Sequence, residues 1–258
     1  MLMHGQTAPK ADARQTPPWW AAAPLADAAA HPEVGLNPAE LARAGGYVAG
    51  RPRNDFVAGR VLVRVLAADV LNRAMPQGLE MPPVLPGELE LTQHCPQCAS
   101  TSHGNPRLQL PGRGQGFSLS YARTAGWVLL ALAPGNDLLG VDMADSSDPA
   151  FASGDGELLE DYAFAPAERR HLESLAAPER RNLRARWWAL KEAVAKASGD
   201  GLAGEDGIPV VAGDRRHRLL GDQGTQTIEL DSGTPDTRGN LLPSSLLGSI
   251  VWAPGATA

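Results

Sequence analysis

The chain has 258 residues, 43% of them hydrophobic and 20% charged, an ordinary balance for a soluble globular protein of one large or two small domains. A formal net charge of −6 argues against a duplex-binding surface, and no run approaches the roughly 18 apolar residues of a membrane span. Two cysteines make no disulfide framework, and Met1 to Trp20 lacks a basic segment leading into an apolar core. The expectation is a cytoplasmic protein with neither nucleic-acid nor membrane partners.

Residues 1–37 are rich in Ala, Pro and polar residues, with Pro17-Pro18-Trp19-Trp20 the only bulky cluster. They read as a loosely ordered N-terminal segment in which short apolar stretches can dock. Asn37-Pro38-Ala39-Glu40 then opens a helix: Asn caps, Pro suits the first turn, and Glu favours the positive end. Gly45-Gly46 stops it. After Arg51-Pro52-Arg53-Asn54-Asp55, the residues Phe56, Val57, Val61, Leu62, Val65, Leu66 and Val70 recur at three- and four-residue spacing, predicting a longer helix. Residues 76–115 read as turn-rich. Strands are predicted over Gly116 to Tyr121 and Trp127 to Ala133, then Leu138 to Met143 after the turn Pro134-Gly135-Asn136-Asp137.

In the second part, Glu157 to Phe164 and Pro166 to Leu175 read as short helices, and Pro178 starts a longer one ended by Gly199-Asp200-Gly201. Strands are expected at Ile208 to Val211, Thr227 to Leu230 and Leu246 to Trp252. The pattern gives an α+β fold. It divides into residues 1–37, an N-terminal subdomain at 38–137 and a C-terminal subdomain at 138–258. Trp19, Trp20, Trp127 and Trp252 read as packing residues. Leu158, Leu159, Tyr162 and Phe164 read as core.

Two motifs carry chemistry. Leu139-Gly140-Val141-Asp142-Met143-Ala144-Asp145 is an apolar strand that delivers a carboxylate to the mouth of a sheet. Asp142 and Ala144 share a face there, and Asp145 points the other way. In Trp187-Trp188-Ala189-Leu190-Lys191-Glu192-Ala193-Val194-Ala195-Lys196, Glu192 and Lys196 are four apart on a mostly apolar helix. Charges in such a setting require a partner such as a metal or a phosphate. Each motif alone also has a plainer reading, a strand ending in a solvated turn and an exposed ion pair.

Together they resemble the 4′-phosphopantetheinyl transferases, in particular the larger monomeric type built of two similar halves. A strand acid, some fifty residues of helical sequence, Trp-x-x-Lys-Glu-Ala-x-x-Lys and Gly-x-Gly-Leu follow in order. Phe56 to Arg64 resembles that family's long N-terminal helix. His103 to Leu108 and Phe117 to Tyr121 fall where it carries a Gly-Lys-Pro-type loop and an Asn-Leu-Ser-His-like strand.

The resemblance implies two similar subdomains, each a small, mainly antiparallel sheet with helices, related by a pseudo-twofold with the active site between them. It implies a monomer that moves 4′-phosphopantetheine from coenzyme A to a serine of an acyl or peptidyl carrier protein and releases 3′,5′-ADP. Mg²⁺ would sit on Asp142 and Glu192, with Glu192 also the general base and Lys196 stabilising charge on the leaving group. Arg51, Arg53, Asn105, Arg107, Ser120, Tyr121, Lys191 and Lys196 are the implied coenzyme A contacts, Lys191 in a supporting role.

The chain departs from the pattern at Ala144, where a second acid is frequent, at Tyr121 in place of the strand histidine, and at Asn105 in place of the loop cation. Asp55 stands near the long helix's start where a basic residue is usual, leaving Arg51, Arg53 or Arg60 to meet the 3′-phosphate. Each change removes charge, which motivates the alternative of a catalytically impaired member that binds coenzyme A or a carrier protein. His94, Cys95, Cys98 and His103 also have the spacing of half a zinc knuckle, with a reduced loop as the plainer reading.

Overall fold

A computed structural model describes residues 17–74, 82–94, 104–110, 115–135, 137–152, 162–199, 201–202, 209–211 and 224–254. The strands are β1 (Trp19–Pro24), β2 (Glu90–His94), β3 (Asn105–Leu110), β4 (Gln115–Thr124), β5 (Trp127–Pro134), β6 (Leu138–Asp145), β7 (Gln226–Leu230) and β8 (Leu246–Ala253). The helices are α1 (Pro38–Gly45), α2 (Arg51–Ala74), α3 (Pro166–Glu173) and α4 (Ala177–Ser198).

The strands form two antiparallel sheets, one ordered β1-β5-β4-β3-β2 and the other β6-β8-β7, so the fold is α+β. Sheet membership changes between Pro134 and Leu138. Strand alternation sorts the apolar side chains into layers. Leu119, Val128, Leu130 and Leu132 pack on Leu62, Leu66 and Val70 of α2. The opposite face of that sheet, with Trp20, Ala22, Leu129 and Ala131, meets Leu139, Val141, Met143 and Ile250 of the second sheet. The second sheet's far face carries α4. The order is helix, sheet, sheet, helix.

Local chemistry explains the helix ends. Asn37 Oδ1 accepts from the Glu40 amide at 2.8 Å, and the Glu40 carboxylate accepts from the Asn37 amide at 2.9 Å, a reciprocal cap at the start of α1. Glu40 also accepts from Arg64 Nη2 at 2.8 Å and lies 3.7 Å from Arg60 Nε, which ties α1 to α2. At the end of α4, Gly199 takes φ +82°, a conformation open to Gly, and its amide donates to the Ala195 carbonyl.

Several expectations change. The segment expected to be loosely ordered contains β1, paired along its length with β5 and buried at Trp20 to Ala23. Its free edge is covered by the loop between β7 and β8. Trp20 N–H donates to Thr237 Oγ1, Thr237 N–H to the Trp20 carbonyl, and Ala22 N–H to Asp236. Arg238 donates to the Ala22 carbonyl. The turn-rich stretch contains β2 and β3, with Pro106 opposite Gln93. Pro209, Val210 and Val211 lie outside any strand; the Val211 amide donates to Glu168 Oε1 at 2.7 Å instead of to a ladder. Ile208 lies outside the described residues, as does most of the helix expected over Glu157 to Phe164. Of the tryptophans, Trp20 and Trp252 are buried and Trp19 and Trp127 half-buried; Phe164 is buried, whereas Tyr162 is exposed and Leu158 and Leu159 lie outside the described residues.

Candidate active site

β6 and α4 lie against each other with almost no space between their backbones. The face of β6 toward the helix carries Gly140, Asp142 and Ala144. A Cβ at Gly140 would stand 1.8 Å from the Ala193 carbonyl oxygen and 2.6 Å from the Ala197 nitrogen. Ala144 packs on Ala185 and Ala189. Only the middle position, Asp142, brings a functional group to this seam, and α4 answers with Glu192 and Lys196.

Lys196 Nζ donates to Asp142 Oδ1 at 2.7 Å and to the Val141 carbonyl at 3.1 Å. The ammonium has three N–H donors, so one remains. Burial pushes the Asp142 carboxyl above its ordinary value even though Lys196 opposes the shift. Burial, and then the charge of Asp142, likewise raise Glu192, again against Lys196. Two carboxylates that repel each other at a partly buried seam, with one ammonium paired to Asp142, are short of positive charge.

This donor set fits a hard divalent cation, which takes one or two carboxylates with water and phosphate oxygens completing its shell. Among the described residues, no group of three or more His, Cys, Asp and Glu is placed to hold a metal. Ala144 lies in an apolar cluster with Phe151 and Leu247, so the seam has no third acid. Asp145 is turned away as strand alternation requires. Its Oδ1 accepts from the Ser147 amide and hydroxyl at 2.8 and 2.7 Å. Burial would raise this carboxyl, but those bonds, with help from Ser245 and Arg181, hold it below the usual range.

Next to the seam lies a cavity of about 330 Å³ lined by Lys196, Asn105, Ser120, Tyr121, Gln93 and Arg123, together with Gly104, Pro106 and Ala122. It opens where the edge of the first sheet meets α4. Ser120 Oγ accepts from the Val141 amide at 3.0 Å, which joins β4 to β6 one residue before Asp142. The Asn105 side chain lies against Gly199, 3.3 Å from where a Cβ would be.

Asp142, Glu192 and Lys196 thus meet, and Asn105, Ser120 and Tyr121 line the same cavity. The other predicted contacts do not. Lys191 is fully buried: Nζ donates to Glu168 Oε2 at 2.7 Å and to the Pro209 carbonyl. Glu168 also accepts from the Ala165 and Val211 amides. The pair joins α3, α4 and residues 209–211, and no phosphate can reach it. Burial lowers the Lys191 ammonium, against the pull of Glu168.

Arg107 donates to Ser118 Oγ at 3.1 Å and to the Gly135 carbonyl at 3.3 Å, and it does not line the cavity. Arg51, 81% exposed at its side chain, pairs with Asp55 at 3.5 Å; Arg53 is exposed, and neither lines the cavity. Arg60 is buried beneath Phe56 and Tyr121. Cys95, Cys98 and His103 lie outside the described residues, as does the side chain of His94. Sequence reasoning missed Gln93 and Arg123. The arginine's only signal was its place two residues beyond Tyr121 on one strand, and the glutamine, on a strand the sequence does not reveal, had none.

Residues 138–231 match the 4′-phosphopantetheinyl transferase superfamily. The matched segment runs from β6 through α3 and α4 to β7, and so contains Asp142, Glu192 and Lys196. It supports a transferase of that superfamily. No curated protein matches the chain. Among the described residues no helix is long and apolar enough to cross a membrane.

Proposed function

We propose that this chain transfers the 4′-phosphopantetheine arm of coenzyme A to a serine of an apo acyl or peptidyl carrier protein, with Mg²⁺ held by Asp142 and Glu192. The observation that carries the reading is the meeting of Asp142, Glu192 and Lys196 at one seam beside a polar cavity, inside the segment that matches the superfamily.

The ion, when bound, neutralises pyrophosphate charge and polarises the phosphorus that carries the pantetheine arm. The serine hydroxyl oxygen forms the new bond to that phosphorus, and the bond to the oxygen of the neighbouring phosphate breaks, releasing 3′,5′-ADP. A Glu192 carboxylate oxygen takes the serine proton, directly or through a water. Lys196, with two donors fixed on Asp142 and Val141, directs its third N–H toward the leaving phosphate. Ser120 fixes the strand beneath, so the acid and ammonium keep their spacing.

A second reading, a binding module that holds coenzyme A or a carrier protein without transfer, draws on Ala144, Asn105 and Tyr121, none of which brings a charge. Incubation with apo carrier protein, coenzyme A and Mg²⁺, followed by intact mass, separates the two. The transferase predicts a gain of one phosphopantetheine that Glu192→Ala abolishes. Coenzyme A binding with no gain on any of several carriers would leave the module. The two-halved monomeric type is part of the proposal, and a single-chain mass in solution is its expected result.

A further inference from the structure

Lys196 places a fixed positive charge against the carboxylate that a metal ion would take, and the backbone keeps it there. Its ammonium reaches Asp142 Oδ1 at 2.7 Å and the Val141 carbonyl at 3.1 Å. That carbonyl is a peptide group, so its hold on the ammonium does not depend on what the carboxylate binds. Val141 is fixed in turn, because its amide donates to Ser120 Oγ at 3.0 Å. The helix cannot carry the lysine away either. A Cβ at Gly140 would meet the backbone of Ala193 and Ala197, so α4 is seated on β6 just before and just after Lys196. Asp142 is buried, whereas Lys196 is partly exposed and lines the cavity.

Charge at the seam then depends on what is bound. Ionised, Asp142, Glu192 and Lys196 leave one negative charge between them. A divalent cation on the two carboxylates turns this into one positive charge, with an ammonium and a dication sharing Asp142. Two charges against one at about 5 Å disfavour that state about tenfold even at water's dielectric constant, and more strongly at a buried carboxylate. A diphosphate, with about two negative charges, restores the original sign and gives the third N–H of Lys196 an acceptor.

Building on the transferase reading, we propose that Lys196 makes metal binding conditional: the seam takes a divalent cation together with the diphosphate of coenzyme A and rejects the cation alone. Each ligand then raises the affinity of the other by the same factor. The ion arrives and leaves with the nucleotide and does not reside in the chain between turnovers.

Calorimetric titration of the full chain with Mn²⁺, with and without saturating coenzyme A, tests this. Lys196→Gln keeps an amide donor for Asp142 and removes the charge. It is expected to bind Mn²⁺ alone about tenfold more tightly than the wild type, and Asp142→Asn in the same chain is expected to abolish the gain. The ratio of the affinities with and without coenzyme A is expected to shrink by a similar factor. Mn²⁺ held by coenzyme A in solution contributes equally to both chains and cancels in that comparison. Lys196→Gln binding Mn²⁺ alone no more tightly than the wild type, or a gain that survives Asp142→Asn, would overturn the gate while leaving the transferase reading intact. So would a wild type that binds the ion equally well with and without coenzyme A. A wild type that binds neither Mn²⁺ nor coenzyme A, alone or together, would overturn both.

Discussion

Gly140→Ala probes the seam on which the whole site depends. A Cβ at this position falls about 1.6 Å short of the 3.4 Å at which a methyl makes ordinary contact, and the obstacle is the Ala193 carbonyl, a backbone group that cannot rotate away. Elsewhere in a strand the same substitution is favourable by about 0.5–1 kcal/mol, because alanine has less freedom to lose on folding. The seam reverses that sign. Inserting a methylene into a packed core costs about 1–3 kcal/mol, and a clash with backbone belongs at the upper end. For a chain of this size about 3 kcal/mol lowers the melting temperature by roughly 6–12 °C.

The cost to activity is separable from this. If α4 slides off β6 by even part of the shortfall, Asp142 leaves the 2.7 Å contact with Lys196, and a misplacement of about 1 Å in reacting groups costs roughly 100-fold. Thermal unfolding and carrier modification below the transition measure the two effects. Gly116→Ala, where the nearest atom to a Cβ is 3.9 Å away, is the matched control and should be neutral or mildly stabilising. A Gly140→Ala chain as stable and as active as the Gly116→Ala control would refute the close packing of β6 on α4.

Glu192→Gln should lower transfer by about 100-fold or more, read as initial rates of carrier modification. Its effect on stability has the opposite sense: with Glu192 raised chiefly by burial, the folded chain keeps a proton that the unfolded chain has released. Ligand-free stability then falls as pH rises through that window, so Glu192→Gln should reduce this fall and melt no lower than wild type at neutral pH. Lys191→Ala strands the buried Glu168 carboxylate and should cost about 3–5 kcal/mol in urea unfolding. Coenzyme A affinity should not change; a loss of affinity with stability intact would return Lys191 to the ligand. Asn37→Ala removes the acceptor at the start of α1, and should cost about 1 kcal/mol, a fall of a few degrees in thermal unfolding.

The helices were legible because their signals are local. Asn37 to Glu40 and Gly199 act within one turn, and α1 and α4 begin and end within a residue or so of where those residues point. β1 was missed because Trp19 to Pro24 has three alanines and no alternation; burial on both faces, which comes from β5, α2 and the second sheet, removes the period that marks a strand. β2 and β3 were hidden by Pro106 and by neighbouring turn residues. At the site, Asp142, Glu192 and Lys196 could be read because a strand end and a helical repeat of four fix their relation. Lys191 could not. A hundred degrees of rotation separates it from Glu192, but only the position of α3 decides that its face is interior. Arg123 was invisible for a similar reason: its neighbours, Phe56 and Gly59, lie more than sixty residues earlier in the chain.

The loop that covers the edge of β1 sets an order on synthesis. Trp20 and Ala22 emerge from the ribosome early, and Asp236 and Thr237, which take their amides, emerge more than two hundred residues later. During that interval the first sheet can assemble β1 through β5 yet must expose a row of unpaired amides, the kind of border that recruits strands from other chains. Completion of the second sheet seals it. A chain interrupted before Asp231 would keep that border open, so newly made N-terminal halves are the species in greatest need of a chaperone.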